Sequence, residues 1–287
     1  VGAGATIQSG GSIGQVNVTG DLLGDLSATT TVGDLTVGGN VGSECDLAAT
    51  TFGNFYVGGN YDGSLAADAI GTIEVGGDAG GDFLIDGSID QQVLIWGDFS
   101  GIIQATGGDV ANVEVHGSVL YVDASTYGRI LATRAQNTGG AIGNVDILGA
   151  FAGTISALGG DITSVEVWDT ADATTATITA ERVTGAGGAI SQVAIYGGGY
   201  GGLVQARGGD ITSFSAAGSL GTDGTVRAIN YLGAGGNIQS ISLGLDLLGT
   251  VEASGGDIGT VDVGRDVGAD AVIQADYLYT QGGSIGT

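Results

Sequence analysis

Residues 145–164 read Val-Asp-Ile-Leu-Gly-Ala-Phe-Ala-Gly-Thr-Ile-Ser-Ala-Leu-Gly-Gly-Asp-Ile-Thr-Ser, and this stretch decides the fold. Val145 and Ile147 alternate with outward residues, Gly149 and Gly153 punctuate, and Ile155 and Ala157 alternate again. Gly159-Gly160-Asp161 then turns the chain and Ile162 closes the unit. Period-two alternation in short runs bounded by glycine predicts short, half-buried strands. No window places apolar residues at i, i+3, i+4 and i+7, so no helix is expected. So small a unit cannot cover its own apolar face; it needs a copy above and a copy below.

The copies are in the sequence. The first residue of a V-x-V strand falls at Val16, Leu35, Phe55, Ile73, Val93, Val113, Val145, Val165, Val193, Phe214, Ile241 and Val261. Successive spacings are 19, 20, 18, 20, 20, 32, 20, 28, 21, 27 and 20. A second strand recurs as Leu26-Ala28, Ile103-Ala105, Ile155-Ala157, Val204-Ala206 and Val251-Ala253. A third inward residue recurs from Val32 and Phe52 through Ile142 and Ile162 to Ile258 and Ile285. This self-similarity predicts an all-β parallel β-solenoid (β-helix) of about 12 coils. At ~4.8 Å per coil the stack is about 60 Å tall. The repeat runs unbroken, so 1–287 is read as one domain, with regular short coils over 1–112 and alternating long and short coils over 113–287.

Composition fits a tight coil. Sixty of 287 residues are glycine and none is proline. The glycines are expected at corners with φ > 0, and the lack of proline suits a backbone whose N–H groups serve inter-coil ladders. The inward positions are read as Val, Ile, Leu and Ala around a narrow interior without a lumen. A collagen-like chain is excluded by the missing three-residue glycine period, and a disordered linker by the regular β-branched positions. Cys45 is the only cysteine, so there is no intrachain disulfide, and one Cys with one His builds no zinc site.

Charge is lopsided: 31 Asp and Glu against six Arg and no Lys, a net charge of −25. Nucleic acid and anionic membranes are repelled, and no apolar run is long enough to span a bilayer. Bland readings of this charge are solubility and tolerance of a saline medium; the sharper one is cation binding. Asp21, Asn40, Asn60, Asp78 and Asp98 fall at one position of successive coils. Oxygens ~4.8 Å apart could share an ion, making Asp78 and Asp98 the candidate metal ligands and calcium the metal. A hydrogen-bonded Asn–Asp ladder is the simpler account of the same column. Asp109, Asp161, Asp210 and Asp257 recur only every second coil, ~10 Å apart, too far for a shared ion. The RTX calcium repeat is absent.

Two sets of residues are candidate interface positions. The residue following each V-x-V strand points outward, and in five consecutive coils it is Trp96, His116, Leu148, Trp168 and Tyr196. Exposed aromatic patches mark interaction sites, and such a ladder stacks on sugar rings, so a polysaccharide is one partner it would take. The expectation is that a neighbour or the insertions bury these rings. The insertions that lengthen alternate coils carry Arg134, Arg182, Tyr231, Tyr277 and Tyr279, residue types enriched at interfaces. They are expected to protrude on one side or, equally, to fold back onto their own coil. Thr29–Thr31 and Thr50–Thr51 are similar to ice-binding threonine ladders, but only two neighbouring coils carry them and β-propensity explains them.

The V-x-V-x-G-D, I-x-A and G-G-x-I spacings resemble those of glycine- and aspartate-rich parallel β-solenoid repeat proteins of prokaryotic cell surfaces, of the fibre, sheath or adhesin-stalk type. A similar coil occurs in bactofilins, from which this Lys-free, Met-free chain departs. The resemblance implies an extracellular or cell-surface scaffold and carries over no active site. A polysaccharide-cleaving β-helix enzyme is the competing class. It is disfavoured because no acid pair beside aromatics recurs as a distinct site and because few loops could build a cleft. Val1–Gln8 matches Val267–Gln274 at six of eight positions, and neither end carries a charged, proline-bearing or helical cap. The expected partner is a second copy, stacked end to end into a filament or cell-surface layer; truncation from a longer array is the rival account of the uncapped ends, and a carbohydrate-binding adhesin stalk is the alternative function.

Overall fold

The structure is a computed structural model that describes residues 1–121, 127–134, 139–171, 175–183, 185, 187–276 and 284–285. Those residues contain strands, turns and no helix. The chain winds into a parallel β-solenoid of about 12 turns, about 21 residues apart. V-x-V strands stack into one sheet, here sheet B, and the second strands into another, sheet A, of 13 strands. The pairing within both sheets is parallel and, apart from a one-residue shift between Ile89 and Gln92, in register: Val113 opposes Val145, Val145 opposes Val165, and Ile155 opposes Ile130 and Ile178. From Ile89–Ile95 onward the sheet B strand absorbs the third inward position and lengthens to six or seven residues. Insertions leave this register intact because they enter where no ladder runs.

A further inward column completes the core. Leu22, Val41, Tyr61, Ala79, Phe99, Val119, Phe151, Ala171, Tyr200, Leu220, Leu247 and Val267 connect by single parallel bridges at the corner between the sheets. It corrects the expected interior of Val, Ile, Leu and Ala alone, because Tyr61, Tyr200, Phe55, Phe83, Phe99, Phe151 and Phe214 are fully buried. Tyr61 stacks on Phe83 at 4.4 Å between centroids, and Phe55 packs edge-on against Tyr61 at 5.5 Å. Large and small residues alternate up the corner, Ala79 lying between Tyr61 and Phe99, so local volume is conserved. Both buried phenols find an acceptor: Tyr61 Oη donates to the Asp82 carbonyl at 3.0 Å and Tyr200 Oη to that of Ala176 at 3.2 Å. Burial pushes both phenols well above their ordinary pKa. Cys45 is also buried, its thiol donating to the Leu22 carbonyl at 2.9 Å.

Glycine is frequent mainly for a steric reason, which corrects the expectation of positive φ at the corners. Between residues 5 and 106 no glycine has positive φ. A Cβ on Gly58 would stand 2.6 Å from the Gly38 carbonyl oxygen of the coil below, and one on Gly76 would stand 2.7 Å from that of Gly58. Positive φ is found mainly in the Gly-Gly turns of the later coils, such as Gly159 at 94° and Gly208 at 85°, and otherwise at Gly4 and at Gly185, Leu232 and Gly233 of the insertions. Gly58→Ala is expected to lower stability in chemical denaturation by roughly 1–3 kcal/mol, as overpacking does. Gly10→Ala is the control: nothing lies within 4 Å of its Cβ position, and the midpoint should stay put.

Candidate functional site

At a corner the strand bends, the carbonyl ladder breaks, and an N–H of the next coil lacks its usual acceptor. Short oxygen-bearing side chains fill that gap. Asp21 Oδ1 accepts the Asn40 N–H at 2.8 Å, Asn40 Oδ1 that of Asn60 at 2.8 Å, and Asn60 Oδ1 that of Asp78 at 3.1 Å. Asp78 Oδ1 then takes the Asp98 N–H at 2.9 Å and Asp98 Oδ1 that of Ser118 at 2.7 Å. The proposed metal pair is therefore engaged as a backbone ladder. Among the described residues no group of three or more His, Cys, Asp or Glu side chains is placed to hold a metal ion. The Asp109 column works in the same way, Asp109 Oδ1 taking the Ala141 N–H and Asp161 Oδ1 that of Ala189, both at 2.9 Å.

The outer face of sheet B is where the remaining polar chemistry collects. Its long strands give three outward positions per coil. The first carries Gln92, Asn112, Asn144 and Ser164, and the second Glu114, Asp146 and Glu166 on three successive coils. The third is the expected aromatic column. Trp96, His116, Leu148, Trp168 and Tyr196 each donate their backbone N–H to the same position one coil below, as Trp168 does to Ile147 at 2.9 Å. Trp96 stacks on His116 at 4.2 Å and Trp168 on Tyr196 at 4.6 Å between centroids. The rings lie on the outside as expected, with Trp96 48%, Trp168 53% and Tyr196 45% exposed, so the insertions do not cover them.

Three carboxylates thus stand beside the aromatic column. Glu114, Asp146 and Glu166 are ~4.8 Å apart along the stack and, with the amide column, line a shallow groove of about 540 Å³. Like charges on neighbouring strands oppose folding, and the outer two acids are relieved locally. Glu114 bonds His116 Nε2 at 2.7 Å and accepts from Gln92 Nε2 at 2.9 Å, while Glu166 lies near the Tyr196 phenol, whose pKa is raised by burial and then by Glu166. Asp146 lies between them, and no described donor bonds its side chain. Burial first, then Glu166 and Glu114, raise its pKa above the ordinary carboxylate value. The signal in the sequence was the middle residue of V-x-V, at spacings of 32 and 20. Chemically, the face offers hydrogen-bond acceptors, negative charge and flat π surfaces to a cation or a polyhydroxylated ligand.

The described residues of the insertions lie back along the stack. The Arg134 stem lies against Gly159 and its Nη1 donates to the Val183 carbonyl of the next insertion at 3.3 Å. Arg182 lies likewise on Gly208 and bonds the Gly185 carbonyl within its own loop at 3.0 Å. Tyr231 covers Arg207, whose guanidinium carbon is 4.4 Å from the ring centroid, and Arg207 also pairs with Glu181. Tyr277 and Tyr279 lie outside the described residues.

Two predictions follow from this geometry. Asp78→Asn keeps the acceptor oxygen, as Asn40 and Asn60 already do, and should leave thermal stability near wild type. Asp78→Ala should cost about 1 kcal/mol by orphaning an N–H; equal loss in both variants would signal a cation instead. For Asp146 the folded pKa is raised, so the folded state holds the extra proton and stability falls as pH rises through that window. Asp146→Asn should therefore stabilise at neutral pH by an amount on the order of 0.2–1 kcal/mol, and the gain should vanish in acid below the ordinary Asp range.

The chain matches no protein-family profile, no curated protein and no solved structure.

Proposed function

We propose that this chain is a structural protein without a catalytic role, a rigid rod that lengthens by stacking coil on coil with copies of itself. The observation that carries the reading is the uniform register. Each coil repeats the same inward columns at the same rise, so the upper edge of any coil is an acceptable seat for the lower edge of any other. Within sheet A, Thr6–Ser9 and Val272–Asp276 are each paired on one side only among the described residues. They share one column pattern: Ile7 and Ile273 continue the same inward column, and Gln8 and Gln274 the same outward one. Strand edges with matching columns pair where they meet, and head-to-tail contacts that do not close produce filaments.

A filament or surface layer outside the cell is the setting this reading assigns. That placement rests on the resemblance of the repeat motifs to cell-surface solenoids. Light scattering of the 1–287 chain over a concentration series tests the stacking. Mass should grow with concentration, and a charged, proline-bearing cap fused after Thr287 should stop the growth. A chain that stays monomeric at high concentration would exclude self-stacking.

A further inference from the structure

Resting on that structural reading but using a different surface, we propose that rods also dock side by side. The acid-and-aromatic face of sheet B in one copy seats on the arginine-bearing face of sheet A in another. The argument begins with where the cations are. The whole chain has six arginines and no lysine. Arg129, Arg207 and Arg227 occupy outward positions of sheet A, and Arg134 and Arg182 follow directly after its strands. The sixth, Arg265, is tied to Asp246 at 2.9 Å, and of the five on this side Arg207 is already paired with Glu181. Five cations of a chain with net charge −25 are thus gathered on one side of the solenoid.

The opposite chemistry sits on the other sheet at the same height. Arg129 belongs to the same coil as Glu114, and Arg182 to that of Glu166, so two rods lying level bring the faces together without a large axial offset. Both faces are parallel sheets with the same ~4.8 Å rise, so a pairing made at one coil is available again at the next. Arginine suits this face because its planar guanidinium pairs with carboxylates and stacks on Trp and Tyr. Asp146, flanked by two acids and bonded by no described donor, faces the arginine-free strand Thr154–Leu158 in this arrangement, one coil from the levels of Arg129 and Arg182. A neutral glycan would use the rings and amides, but it gives no reason for three adjacent carboxylates or for segregating the arginines. Because the contact joins two different faces, it leaves a free face on each partner and propagates laterally. Combined with end stacking it makes a layer.

Small-angle scattering of the full chain separates the two modes, since end stacking lengthens the rod while side docking raises its cross-sectional radius. Measurements in low salt and in 1 M NaCl would compare wild type with two variants. One is Glu114→Gln/Asp146→Asn/Glu166→Gln; the other is Arg129→Gln/Arg227→Gln. Circular dichroism and melting serve as folding controls. The expected result is a cross-section larger than one rod in low salt for wild type only, with lateral affinity at least tenfold weaker in either variant. High salt should return wild type to a single rod. Mixing Glu114→Arg with Arg129→Glu chains, whose positions lie level, should restore docking between the two even if one neutralised variant folds poorly. Three outcomes would overturn the proposal: a single-rod cross-section in all wild-type samples, lateral association that survives both neutralised variants, or quenching of Trp fluorescence by a neutral oligosaccharide with no lateral association. None of these would touch end stacking, which is read from length.

Discussion

The rise of one coil on the next is the constraint from which the rest follows. Parallel in-register pairing holds each backbone ~4.8 Å above its neighbour on every side of the solenoid. Where strands run, carbonyl oxygens meet N–H groups directly. Where the chain bends, a Cβ on the upper coil would enter the carbonyl below, so Gly38, Gly58 and Gly76 follow one another up a single corner. Where the bend strands an N–H, an Asp, Asn or Ser oxygen from the coil beneath reaches it. Glycine and aspartate are abundant for one and the same reason.

Much of this was legible in the chain. The V-x-V column aligned all twelve coils across insertions, because residues between sheets can be added without moving any inward position. Other features were hidden by the form in which they are encoded. The corner column from Leu22 to Val267 rests on one bridge residue per coil, too short for alternation to show. Its large members, Tyr61, Phe99, Phe151 and Tyr200, are separated by Ala or Val, and only packing reveals why they fit. The glycines look alike in sequence whether they serve positive φ, as at Gly159, or close approach, as at Gly58. The acid triplet was missed because attention to the residue after V-x-V passed over the one inside it.

The structure also divides the acidic residues by role. Corner aspartates such as Asp21, Asp78 and Asp109 spend an oxygen on the backbone, and Asn40 and Asn60 do the same without charge. Glu114, Asp146 and Glu166 serve no such ladder among the described residues, and they stand beside exposed rings on the outer face of sheet B. Charge that stabilises the coil and charge that faces outward thus have different origins, and only the second bears on recognition. It lies in the half of the chain where the arginines first occur.

Electron cryomicroscopy of the purified chain measures the central claim of coil-on-coil stacking most directly. The account predicts unbranched rods far longer than the ~60 Å of twelve coils, with a ~4.8 Å layer line along the rod axis that continues unbroken across chain junctions. Discrete particles about 60 Å long at every concentration, or filaments whose ~4.8 Å repeat runs across the axis, would contradict it.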